Sequence, residues 1–406
     1  MSITLAKPLS LITSGRYADP IDDGTVIPDV YGDFSAGGRT GPIRAVMIDS
    51  VNRVYAAAAH AVTSIDEVWV GDVLKVLTTD YTVSLSNNYE AQGVIATITF
   101  TVAHGLPTAA VTWRGKGKQV GGALEENPIA QLRDLLTTRS TWVAADFDAA
   151  AYNIAVSDAA AQGYETAWVV NDGRFAEEWV KEILFNALAT IRISSRDRAE
   201  IFVDRGRWIQ RAELVASLVA ARDCVGGDDG VSMRGDIIGV VNALNVDYLW
   251  HWALGQRSSR LTSPQDDISV NAHGEMRKTV TLRGHRTQAQ VETWATALFD
   301  RAALRRRVEG AILDLAVDGP MLMHAGIWDP FSLTWAWGPR REHGNQYRNQ
   351  ILRVLSVEHD TAGAGVTRVR AIDTGLYVLS EEFYDALVLF DADKFFGGGR
   401  ELGVVA

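Results

Sequence analysis

Between Asn127 and Leu188 the chain changes its hydrophobic period, and that change bounds the folds open to it. Asn127 is a good helix N-cap, and Pro128 suits the first helical position, where a backbone N–H would lack an intrahelical partner anyway. Ile129, Leu132, Leu135 and Leu136 then recur at helical spacing. A second helical stretch is expected over about Asp148–Gln162, rich in alanine and stopped by Gly163. A third begins near Asp172 and lines up Ala176, Trp179, Val180, Ile183, Leu184, Ala187 and Leu188 on one stripe, with Glu177 and Glu178 in the first turn. Ile191–Ile193, a polar turn over Ser194–Arg198, and Ala199–Asp204 read as a β-hairpin. Residues 126–210 therefore form a compact α+β module.

Both flanks read as β structure. In residues 1–125, Val46, Ile48, Val54 and Tyr55 lie in short apolar runs, and Val68–Val70 leads into a turn at Gly71-Asp72. Val94–Val102 alternates apolar and polar positions before the breaker His104-Gly105-Leu106-Pro107. Gly115-Lys116-Gly117-Lys118 with Gly121-Gly122 reads as a solvated linker at the domain boundary. Residues 211–380 return to β with one long helix. Val241–Trp250 is an expected strand, and Thr287 and Gln290 have capping-box spacing. Val291, Trp294, Ala295, Leu298 and Ala302 share a face of that helix, and Arg305–Arg307 sit at its C-terminal end, where cations suit the dipole. Strands are expected at Val308–Val317, Phe331–Trp337, Ile351–Val357 and Val366–Ile372. In the second of these Phe331, Leu333, Trp335 and Trp337 alternate with Ser332, Thr334 and Ala336.

At 406 residues the chain is too long for one ordinary core, and 47% hydrophobic with 22% charged residues is the composition of a folded protein. The 36 Gly against 10 Pro favour turn-rich β structure, and 12 Trp suit large sheet faces or interfaces. A net charge of −11 argues against wrapping a nucleic-acid duplex, which needs a basic footprint, and is compatible with solubility or with a negatively lined ring through which DNA slides. Cys224 stands alone, so neither an internal disulfide nor a thiolate metal cage is expected. The first twenty residues lack the pattern of a signal peptide, and no window approaches the roughly 18 apolar residues of a membrane span. A soluble protein made in a cytosol is expected.

Motifs that would carry chemistry are weak. Gly115–Gly122 lacks the spacing of a phosphate loop. Gly226-Gly-Asp-Asp-Gly offers Asp228 and Asp229 but not the rest of a calcium loop, and reads as a polar turn. The eight His are scattered, with no H-x-x-x-H and none beside a carboxylate cluster except His359-Asp360, and Gly230-Val-Ser-Met-Arg-Gly is one residue too long for a nucleophile elbow. Glu125/Glu126 and Glu381/Glu382 are adjacent acids, whereas a glycosidase needs two carboxyls facing across a cleft. No catalytic residue, cofactor site or metal site is expected. From about Glu381 the chain mixes acids with Phe383, Tyr384, Leu387, Phe390, Phe395 and Phe396 before Gly397–Gly399, which suits an attachment tail that buries those side chains against a partner.

The phrase from Asn127-Pro128 through Leu135-Leu136-Thr137, followed by an aspartate before the alanine-rich stretch Asp146–Ala161, resembles the hub region of tailed-phage tail-tip and baseplate proteins, including the lambda-like host-specificity proteins. Asn245-Val-Asp-Tyr is similar to the strand that opens a later tube-like domain in that family, and Ala272-His-Gly-Glu-Met-Arg to a phrase upstream of an Ala- and Leu-rich helix, here Gln288–Arg307. Arg353-Val-Leu-Ser-Val-Glu-His-Asp matches the family's closing strand, whereas His324-Ala-Gly-Ile-Trp-Asp departs from its turn. The resemblance covers about 126–373. It implies an α+β, multidomain, mostly β fold with two tube-like β-barrel domains around an α+β module. The expected divisions are an N-terminal β domain over 1–125, the hub module over 126–210, a tube-like β domain over 211–380 and the attachment tail over 381–406. It further implies a non-enzymatic virion protein of the tail tip, assembled in the host cytoplasm as a homotrimer. Its expected partners are the distal tail protein, tail tube and tape-measure proteins, and distal tip or fibre proteins, with a part in host attachment and the DNA ejection channel. The alternative is a carbohydrate-binding or carbohydrate-degrading surface protein on similar β domains.

Overall fold

The computed structural model describes residues 26–35, 40–88, 93–120, 122–171, 176–193, 198–203, 214–234, 241–267, 270–271, 274–306, 312–318, 322, 325–326, 329–336, 347–359 and 365–377. The fold is mostly β and multidomain, with few helices. The chain divides into two compact units, and each draws on three stretches of sequence. Met1–Asp204, Ala243–Pro264 and Arg277–Thr296 make the first; Arg205–Asn242, Gln265–Met276 and Ala297–Ala406 make the second.

Two four-stranded sheets open the first unit. One runs in the order Ile43–Arg44, Val111–Lys116, Ser64–Val70, Val73–Leu74, with the last two joined through Gly71, whose φ of +57° suits a residue lacking Cβ. The other is ordered Val46–Asp49, Val54–Ala58, Val94–Phe100, Tyr81–Asn88. The inward positions Ile48, Val54, Ala56 and Ile95 pack together with Ile27. In Val94–Phe100 not only Ile98 and Phe100 but also Ala96 and Thr97 are buried, so the strand is covered on both faces.

The Gly115–Lys118 stretch is not a solvated linker. Gly115 and Lys116 end a buried strand, and Thr63 N–H donates to the carbonyls of Lys116 and Gly117. A Cβ on Gly115 would lie 2.2 Å from the Ser64 carbonyl oxygen, and one on Gly117 would lie 2.4 Å from that of Val30. These glycines are present because two backbones pass too close for a side chain, not because the chain must bend freely.

The helical part of the first unit follows the sequence closely. Asn127 caps the helix Pro128–Arg139, its Oδ1 accepting from the N–H groups of Ile129 and Ala130. Asp148 caps Ala149–Ala161 by accepting from Ala151, and Gly163, at φ +68°, follows its end. The helix Ala176–Asn186 buries Trp179, Val180, Ile183 and Leu184, and the hairpin Ala189–Ile193/Ala199–Val203 follows. Ala243–His251 pairs antiparallel with Gln256–Leu261 and parallel with Arg277–Thr281. The capping box of the helix Gln288–Arg306 is reciprocal: Gln290 N–H donates to Thr287 Oγ1, and Thr287 N–H donates to Gln290 Oε1. Val291, Trp294 and Ala295 of that helix are buried.

The second unit is built on one six-stranded sheet ordered Ser217–Val219, Pro330–Trp335, Tyr347–His359, Val366–Tyr377, Ile312–Asp318, Val231–Arg234. Only its first pair is parallel among the described residues. Leu313, Leu315, Val317, Phe331, Leu333, Trp335, Leu352, Val354 and Val369 form its core. Phe331, Leu333 and Trp335 face inward as their alternation requires, and Trp337 lies outside the described residues.

Candidate functional site

The interface residues read from the sequence, Phe383, Tyr384, Leu387, Phe390, Phe395 and Phe396, lie outside the described residues, as do Glu381 and Glu382. Among the other acids considered, Glu125 accepts the N–H of Asn127 at 3.0 Å, just before the helix cap. Burial pushes the carboxyls of Glu125 and Glu126 up, and the charges of Glu165 and Asp33 add to the effect on Glu126. Gly227–Gly230 forms a turn of 3-10 helix after Gly226, which sits at φ +86°. Trp335 is a core residue whose Nε1 donates to the Asp228 carbonyl, so it offers no face for stacking a sugar.

The most organised polar centre in the first unit surrounds a three-residue strand, Asp29–Tyr31, which sequence reading passed over. It pairs antiparallel with Trp168–Val170. On its other side Lys118 N–H donates to Val30 O, Gly117 N–H to Gly32 O, and Ala59 N–H to Pro28 O. Side chains reinforce this from the helix Pro128–Arg139. Arg139 holds the Asp29 carboxylate with Nε and Nη2, and both partners are largely buried. Tyr31 OH donates to Asp134 at 2.6 Å, and Lys118 Nζ reaches the same oxygen at 2.6 Å. Burial, then the charges of Asp29 and Asp134, hold the Tyr31 phenol well above its ordinary range, so it remains a donor. Val30 N–H donates to Nε2 of His60 at 2.9 Å, while His60 Nδ1 lies 2.8 Å from the Ala61 carbonyl.

A second buried centre lies around His285. Its Nδ1 is 3.0 Å from Oδ1 of Asn186, which also accepts the N–H of Gly284, while Asn186 Nδ2 donates to Glu182 O. That pattern fixes the amide orientation, makes Nδ1 the protonated nitrogen, and leaves Nε2 bare with no hydrogen-bond partner among the described residues. Burial pushes the imidazole pKa down to about 3. Nearby, Trp168, Trp179 and Trp252 pack ring against ring at centroid distances of 6.1 to 6.3 Å. Gly284 lies against Trp168: a Cβ there would meet the indole at 2.6 Å.

A third arrangement joins Arg114, Arg286 and His251. Arg286 donates to the Trp250 carbonyl at 2.8 Å and lies over the Phe34 ring at 4.9 Å. Arg114 donates to Thr40 O, and Thr40 Oγ1 is 2.9 Å from His251 Nε2. Burial, followed by repulsion from Arg114, lowers the Arg286 pKa to about 10. In all three centres most of the polar bonds run to one another or to backbone, and they tie together segments that are far apart in sequence.

No family model matches the chain, and no curated protein matches it. Among solved structures, it is similar to the tail protein from Neisseria meningitidis MC58, with a TM-score of 0.37 and 9% identity over 86% of this chain and 98% of that one. It is also similar to the 43 kDa tail protein of prophage MuSo2 from Shewanella oneidensis, with a TM-score of 0.35 and 8% identity over 87% and 94%. For prophage tail protein gp18 from Listeria monocytogenes EGD-e the TM-score is 0.31, with 8% identity over 89% and 92%.

Proposed function

We propose that the chain is a structural virion protein of a phage tail: a hub at the tail tip or baseplate that joins the tail tube to distal tip proteins and lines part of the DNA ejection channel. The observation that carries this reading is the order of the hub-like phrases and the elements they occupy. The Asn127-Pro128 phrase is a capped helix, Asn245-Val-Asp-Tyr lies inside Ala243–His251, and Arg353–His359 lies in the strand Tyr347–His359. Buried polar centres made of mutually bonded side chains suit a part that must hold its shape under load, and the reading includes no catalytic activity.

In this role the chain assembles as a homotrimer, the closed symmetry that builds a ring from one subunit type. It contacts the distal tail, tail-tube and tape-measure proteins and the distal tip or fibre proteins. Its residues Phe383, Tyr384, Leu387, Phe390, Phe395 and Phe396 attach to a neighbour. The −11 charge supports a lumen that repels DNA. An averaged image of a tail tip carrying a tag on this chain tests the proposal. Three copies around the axis are expected; one copy, six copies, or no signal at the tip would overturn it. Deleting residues 381–406 should block tail assembly with little change in melting temperature, and normal assembly would remove the attachment role.

A further inference from the structure

We infer that the strand Asp29–Tyr31 is an acid-released latch, with His60 as the group that opens it. The latch ties parts of the first unit that are far apart in sequence. Val30 bonds to His60 through its N–H and to Lys118 through its carbonyl, so the strand is fastened to the early β segments. Asp29 and Tyr31 reach the helix Pro128–Arg139 through Arg139 and Asp134, and all three residues pair with Trp168–Val170.

The weak point is the bond to His60. Its two ring nitrogens are assigned by their partners: Nδ1 faces a carbonyl and must carry hydrogen, and Nε2 faces an N–H and must not. That tautomer is neutral. A proton on Nε2 would turn the acceptor into a donor aimed at the Val30 N–H, with no room for both hydrogens at 2.9 Å. The groups facing the imidazole are Asp29, which favours the charged form, Lys118 and Arg139, which oppose it, and the Tyr31 ring at 6.1 Å. Asp29 is already held by Arg139, so its charge is largely spoken for. Burial is the dominant influence and lowers the imidazole pKa from its ordinary value.

The direction follows from linkage. With the latch open, His60 is solvated and takes a proton near pH 6.5; with the latch shut, it resists until a lower pH. The shut state is therefore favoured fully above about pH 6.5 and loses its advantage as pH falls through the lower native value. The opening equilibrium rises by up to about tenfold per pH unit across that window and then levels off.

Amide hydrogen exchange of the full chain between pH 7.5 and 4.5, corrected for the intrinsic exchange rate at each pH, tests this. Protection of the segment containing Val30 should fall through the window, while core amides such as those of Ile98 and Ile183 fall less. His60→Gln places an amide oxygen where Nε2 stands and an N–H toward Ala61, so it should keep the latch shut and flatten the profile. An imidazole titration of His60 by NMR in the unmodified chain serves if that variant does not fold. Its midpoint should coincide with the loss of Val30 protection. Loss of protection that persists unchanged in His60→Gln, or a His60 that protonates while Val30 stays protected, would overturn the latch.

Discussion

Nδ1 of His285 lies 3.0 Å from Oδ1 of Asn186, a residue 99 positions earlier in the chain, and both side chains are fully buried. The bond makes Nδ1 the protonated nitrogen, and burial keeps the imidazole neutral with its other nitrogen bare. His251 has the opposite tautomer: its Nδ1 accepts the Leu254 N–H, which requires a neutral ring, and its Nε2 lies 2.9 Å from Thr40 Oγ1.

The first prediction concerns acid stability. Burial lowers the pKa of His285 to about 3, and burial also lowers those of His60 and His251. The unfolded chain takes up protons below pH 6.5 that the folded chain refuses, so stability is intact above that value and falls as pH drops through the native values. Each such histidine contributes up to about 1.4 kcal/mol per pH unit over its window. Melting curves between pH 7.5 and 4 should show a steep decline beginning near 6.5. A flat profile to pH 5 would contradict the buried neutral assignments.

A second prediction separates crowding from backbone strain. Gly117→Ala places a methyl 2.4 Å from the Val30 carbonyl, whereas Gly105→Ala meets nothing within 4 Å but must keep φ at +74°. Denaturant midpoints should show a loss of roughly 2 kcal/mol or more for Gly117→Ala and about 1 kcal/mol for Gly105→Ala. Equal effects would mean that the strand Asp29–Tyr31 shifts readily to accommodate the methyl.

The ion pair of Asp29 and Arg139 should behave as a buried one. Arg139→Met leaves the Asp29 carboxylate without its bidentate partner and should cost about 3 kcal/mol. Combining it with Asp29→Leu should recover much of that loss, because no orphaned charge remains. A double-mutant cycle in chemical denaturation measures the coupling, and additive losses would refute it.

Asn127→Ala should destabilise by about 1–2 kcal/mol. The upper end is expected because its Nδ2 also donates to the Val156 carbonyl in the next helix. Asn127→Asp retains the cap and loses that second bond, so it should fall between the two. An Asp variant no better than Ala would show that the contact with Val156 outweighs the cap.

Legibility in the sequence tracked the distance between the residues concerned. Asn127 with Pro128, Asp148 with Gly163, and Thr287 with Gln290 are neighbours along the chain, and local chemistry announces each of them. The stripe from Trp179 to Leu184 was readable because period alone reveals which side is buried. The polar centres were not readable. Asp29 and Arg139 are 110 residues apart, and Tyr31 and Asp134 are 103 apart, so nothing in either neighbourhood signals the other. Strand Asp29–Tyr31 is too short to establish an alternation. Gly115 and Gly117 were misread for a related reason: a glycine in a sequence advertises freedom, and only the opposing backbone reveals that the missing side chain is a matter of space.

The division of the chain also sets a timetable for synthesis. The sequence passes between the two units five times, at 204/205, 242/243, 264/265, 276/277 and 296/297. Trp252, which packs on Trp168 and Trp179, His285, which bonds to Asn186, and Trp294, which packs on Phe185, are translated long after the segments they complete. A nascent chain released at Asp204 would carry both four-stranded sheets but leave Trp168 and Trp179 without that cover. The first unit therefore cannot finish folding behind the ribosome until Thr296 has emerged, when most of the second unit's sheet is still unmade.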